Sequence, residues 1–111
     1  MSDIEPLLNR YRMVGPPYAS AKAKRVYIEE YKKSLLALLM KAAERLGATS
    51  VSAQEREALS KPAYLEHLSA LQIAVEDEEA QRFEIKRIEM EIEVWRTQQA
   101  NERMERKTYN A

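Results

Sequence analysis

The sequence predicts an all-α protein, an antiparallel helical hairpin or coiled coil with one very long C-terminal helix and a short N-terminal helix. Three observations carry this reading. Glycine occurs only at Gly15 and Gly47 in 111 residues, so little interrupts the chain. Charged residues make up 32%, above the rough quarter usual in globular proteins. Apolar residues recur every three or four positions, the spacing of one helix face.

The elements follow in order within a single expected domain, residues 1–111. A short helix is expected from Asp3 to Met13. Asp3 is placed to cap it, and Leu7, Leu8 and Tyr11 share a face. Gly15-Pro16-Pro17 predicts a break, because proline removes an amide donor and restricts the residue before it. The N-terminal segment is therefore drawn as residues 1–16. A basic helix is expected over 17–46, with Pro17 in its first turn and Ile28, Tyr31, Leu35, Leu38, Ala42 and Leu46 as its stripe. Gly47 is placed to end it in the left-handed conformation.

The connector, residues 47–61, carries Ser52-Ala53-Gln54-Glu55, the pattern of a capping box opening a short helix. Pro62 then starts a helix over 62–108. Its uninterrupted run of roughly 46 residues corresponds to about 69 Å at 1.5 Å per residue. That length points to coiled-coil packing. Tyr64, Leu68, Leu71 and Val75 form its first stripe, and Ile85, Ile88, Ile92 and Trp95 form a heptad seam. Glu76-Asp77-Glu78-Glu79 is read as an interruption between the two. In the expected hairpin Leu46 lies near Tyr64 and Tyr18 near Ile92. This leaves the tail from Arg96 onward without cover from the second helix, to be covered in part by the first helix or by a second copy of the chain; self-association through Ile85, Ile88, Ile92 and Trp95 is expected.

Charge is balanced overall, 18 basic against 18 acidic residues, but divided between helices. Residues 18–46 hold seven basic and three acidic side chains, residues 62–95 three basic and nine acidic. Opposed faces of this kind set register more than stability. The absence of cysteine excludes disulfides and thiolate metal sites. One histidine, His67, excludes a multi-histidine metal site within one chain. No metal, cofactor or catalytic residue is expected, since no phosphate loop, dinucleotide fingerprint, zinc spacing or nucleophile elbow occurs. No apolar run is long enough for a membrane helix, and MSDIEPLLNRYRM lacks the pattern of a secretory signal. A cytoplasmic location is expected.

Two basic groups are the candidates for binding. Lys22, Lys24, Arg25, Lys32 and Lys33 are interleaved with Tyr18, Tyr27 and Tyr31, a combination that suits a phosphate backbone with stacked bases. Arg96 and Arg103 belong to a second basic segment at the C-terminal end. The plainer reading of these lysines is pairing with the acidic helix. The acidic run Glu76 to Glu79 is an alternative docking site for a protein partner.

The stretch YASAKAKRVYIEEYKKSLLALLMKAAERLG, then SAQEREAL, then EIEVWRTQQANERMER, resembles small helical proteins that tailed phages encode among their early genes for DNA recombination and replication. Tyr18, Ala21, Lys22, Arg25, Val26, Tyr27, Gln54-Glu55-Arg56, Trp95 and Arg96 carry it. More remotely, the chain is similar to UvsY-type recombination mediators. The resemblance implies a non-enzymatic oligomeric accessory protein in the host cytoplasm, binding single-stranded DNA or a DNA-processing protein such as a recombinase. The alternatives are a protein-only adaptor or inhibitor and a structural coiled-coil assembly protein.

Overall fold

A computed structural model describes residues 3–110, so residues 1, 2 and 111 of the expected domain lie outside it. The described residues form three helices and no strand: α1, Glu5–Arg45; α2, Val51–Leu59; and α3, Pro62–Tyr109. No helix among them is long and apolar enough to cross a membrane. The chain divides into two compact units. One combines residues 3–19 with 80–110; the other is Ser20–Glu79.

In the first unit, the start of α1 lies antiparallel to the end of α3. Arg10 binds Glu91 at 3.0 Å, and the Tyr11 hydroxyl donates to Glu89 at 2.9 Å. Leu7, Val14 and Tyr18 of α1 are half-buried, as is Ile4 just before it. Against them α3 buries Ile88, fully, and Ile92, with Ile85, Trp95 and Gln99 half-buried. The residues of α3 step by three and four, the spacing of knobs packed into holes.

This arrangement corrects one expectation. Helix α1 does not break at Gly15-Pro16-Pro17; both prolines lie inside it. The carbonyls that lose amide partners to the prolines belong to Arg12 and Met13, four residues back. Arg12, Met13, Gly15, Pro16 and Pro17 are all exposed. The proline stretch therefore lies on the exposed side of the first unit. Packing on both sides, through Leu7 and Val14 before and Tyr18 after, outweighs local propensity. The first turns of α1 cover part of the Ile85–Trp95 seam: Ile88 and Ile92 are buried and Ile85 and Trp95 half-buried within the chain.

In the second unit, the rest of α1 pairs antiparallel with the start of α3. The contacts run from Arg25–Glu78 to Ile28–His67. The inward residues of α1 are Ala21, Arg25, Ile28, Lys32, Leu35, Leu36, Leu39, Met40 and Ala43. Those of α3 are Tyr64, His67, Leu71, Ala74 and Glu78. The expected stripe is thus turned partly outward: Tyr31, Leu38 and Leu46 on the α1 side and Leu68 and Val75 on α3 are exposed. Nor does the acidic run break the seam. Glu78 keeps the four-residue step from Ala74 and is itself buried.

The connector is held by local chemistry. Gly47 adopts φ 112°, a conformation glycine takes without steric cost. The Ala48 amide donates to the Ala43 carbonyl at 3.0 Å and the Gly47 amide to Glu44 at 3.1 Å. These are the paired bonds of a Schellman cap. Ser50, rather than Ser52, caps α2, its hydroxyl accepting from the Ala53 amide at 3.1 Å. Ala58 of α2 and Ala43 of α1 are buried, and Pro62 opens α3.

Two outcomes test this packing in urea unfolding. Ile88→Ala lowers stability by about 2–5 kcal/mol, because a fully buried side chain leaves a cavity. Replacing Pro16 and Pro17 with alanine raises stability, each by up to about 3 kcal/mol, since the helix already runs through them. No gain, or a loss, means the helix is broken there in solution.

Candidate functional site

The five candidate cations of the basic helix do not share one face. Arg25 points into the seam of the second unit. Its Nε donates to Glu78 at 2.6 Å and its Nη2 to the other Glu78 oxygen at 3.1 Å, a two-pronged grip. Nη1 donates to Glu29 at 2.6 Å. These bonds push the guanidinium pKa further up, the bond to Glu78 contributing most. The charge of Arg25 is therefore committed inside the fold. Lys32 is half-buried at a seam position. Lys33 is exposed but bonded to Glu30 at 3.3 Å. Lys22 and Lys24 are exposed and unpaired among the described residues, on different faces of α1.

One face does bring charge and rings together. Lys24, Tyr27, Tyr31, Ser34, Leu38 and Lys41 step by three and four along α1, and all six are exposed. This row lies beside the seam row and turns with it. The rings of Tyr27 and Tyr31 stack, 6.2 Å between centroids and 10° from parallel. Tyr27 is 70% exposed. Tyr31 is fixed from below by the His67 ring, 5.6 Å away. His67 is in turn held by its Nε2, 2.7 Å from the Ile28 carbonyl. A carbonyl only accepts, so Nε2 donates. The histidine thus acts as a support for the tyrosine ledge. Lys41 was not among the expected residues, although its spacing from Lys24 and the tyrosines was visible in the sequence.

In the first unit, Arg96 is exposed and bonded to Glu93 at 2.8 Å. Arg103 lies on the last turns of α3, where residues 100–110 are all exposed. Arg106 sits 3.9 Å from Glu102. This end therefore mixes signs instead of presenting a row of free cations. Of the expected interface residues, Ile88 and Ile92 are buried and Ile85 and Trp95 half-buried within the chain. No group of histidine and acidic residues that could hold a metal ion occurs among the described residues.

The Arg25–Glu78 pair gives a test of the assignment of Arg25 to the core. Removing Glu78, as in Glu78→Ala, takes away the two-pronged bond, leaves the half-buried Arg25 held by Glu29 alone and lowers the urea midpoint. Replacing both with leucine restores or raises it. An equal decrease in the single and double variants would place the pair outside the packed interior. No known family matches the chain, and neither a curated protein nor a solved structure shows significant similarity to it.

Proposed function

We propose that this chain is a non-enzymatic accessory protein of DNA recombination or replication that engages single-stranded DNA through the tyrosine face of α1. One observation carries the reading: two stacked, solvent-facing tyrosines lie on one row with Lys24 before them and Lys41 beyond. Aromatic faces bind any base by stacking, and flanking cations hold the phosphates without reading sequence. The row from Lys24 to Lys41 spans about 26 Å of helix, room for a short run of nucleotides. Balanced charge makes the contact local rather than a property of the whole surface.

A protein-only adaptor is the second reading, and a specific observation favours it. Leu38 lies on the same row at 58% exposure, and two of the five expected cations, Arg25 and Lys33, are already paired within the chain. An apolar and aromatic row of this kind also suits the groove of a partner helix.

Fluorescence anisotropy with a labelled oligonucleotide separates the two. Single-stranded DNA binds at micromolar protein and low salt. Tyr27→Ala with Tyr31→Ala weakens binding by about 1–3 kcal/mol for each base that can no longer stack. Lys24→Ala or Lys41→Ala flattens the logarithmic salt dependence by about 0.7 for each phosphate the lysine had neutralised. Arg25→Ala, by contrast, lowers stability without changing that slope. Absence of binding at low salt rejects the DNA reading and leaves the adaptor.

A further inference from the structure

The outer face of α3 in the first unit carries apolar side chains that the chain leaves uncovered. Phe83, Met90, Val94 and Met104 are 68%, 69%, 56% and 67% exposed. Phe83, Met90 and Met104 share a heptad position on the side of the helix away from Ile85, Ile88 and Ile92, and Val94 lies next to that line. Around Met90, the side chains of Lys86, Glu89, Met90 and Glu93 form a shallow, open patch. These positions are i, i+3, i+4 and i+7, the four-residue hole that receives one knob from a facing helix.

Charge selects what fills it. Lys86 precedes Met90 by one turn and Glu93 follows it by about one turn; both are exposed. Lys86 is unpaired among the described residues, and Glu93 has a second carboxylate oxygen beyond the one that Arg96 holds. A second copy laid antiparallel, with a twofold axis near Met90, brings residue 86 of each chain beside residues 93 and 94 of the other. Lys86 then meets Glu93 of the second copy twice, and Met90 enters the hole that Met90 of the other chain helps to form. Phe83 falls opposite Thr97. A parallel copy would set Glu93 against Glu93 and Lys86 against Lys86. The Lys86–Glu93 pairing is therefore complementary in the antiparallel orientation and not in the in-register parallel one, and the antiparallel contact is isologous, as in a closed dimer.

We propose that this chain forms an antiparallel homodimer through the outer face of α3, centred on Met90. The contact covers a few helical turns, smaller than the roughly 1,200–2,000 Å² of standard stable interfaces. A weak, concentration-dependent dimer is the expected result. The interface is separate from the tyrosine row of α1 and stands whether or not DNA binds there.

Sedimentation equilibrium and cross-linking of the full chain test it. The wild type passes from monomer to dimer over micromolar to submillimolar concentrations. Glu93→Lys and Lys86→Glu each weaken the dimer at least tenfold, an effect of about 1.4 kcal/mol. An equimolar mixture of these two variants dimerises again, because each chain then offers the charge the other needs; this also shows that both are folded. The chain has no cysteine of its own, so introduced thiols report cleanly. Met90→Cys oxidises readily to a disulfide-linked dimer, since a twofold near residue 90 brings the two Cα atoms within bridging distance. Met13→Cys, at a site about as exposed, does not. A wild type that stays monomeric throughout, a mixture that fails to reassociate, or equal cross-linking at positions 13 and 90 overturns the proposal. A monomer whose Met90 face instead binds lipid vesicles or an unrelated amphipathic helix overturns it too.

Discussion

The fold depends on one constraint: helix α1 must pass through two consecutive prolines without ending. The cover that Leu7, Val14 and their neighbours give Ile88 and Ile92 comes from the turns of α1 that precede those prolines. The chain meets the constraint by placing the whole Gly15-Pro16-Pro17 segment on an exposed stretch, where two unpaired carbonyls can be hydrated. The local cost is offset by apolar packing on either side of the prolines. Apolar burial, at about 25 cal/mol per Å², is the main stabilising term.

The second unit solves a different problem. Its seam is not uniformly apolar. Arg25, Lys32, His67 and Glu78 occupy inward positions alongside Ala21 and Ala74. Small residues let the helices approach closely, and a two-pronged ion pair between Arg25 and Glu78 admits only one alignment. A ladder of leucines would tolerate a slip by one heptad; this seam would strand a charge if it slipped. The polar residues thus contribute specificity of register more than strength. The same logic explains His67, whose bond to the Ile28 carbonyl fixes the ring that supports Tyr31.

Much of this was legible in the sequence, and the rest was hidden for identifiable reasons. Composition and three-four spacing marked the helices, and Gly47 and Pro62 marked their ends. Proline rules are local, so they could not reveal that distant packing carries α1 through Pro16 and Pro17. Searching for large apolar residues selected Tyr31, Leu38 and Val75, which are exposed, and passed over Ala21, Arg25, Ala74 and Glu78, which are not. The run Glu76 to Glu79 read as an interruption because nothing in it says which carboxylate faces inward; only the position of Arg25 on the facing helix does. Of the candidate site, Lys24, Tyr27 and Tyr31 were visible, but the grouping that excludes Arg25 and includes Lys41 depends on knowing which face turns inward.

The bond from Tyr11 to Glu89 has a consequence at alkaline pH. The phenol donates to a carboxylate, and that bond, reinforced by the carboxylate's charge, raises its pKa above the ordinary 10.0. A group whose folded pKa is raised contributes its stabilisation in full below the unfolded value and loses it as the pH climbs through the folded one. Ionisation of this tyrosine would leave two anions facing each other across the helix pair, so base should loosen the first unit from this point outward.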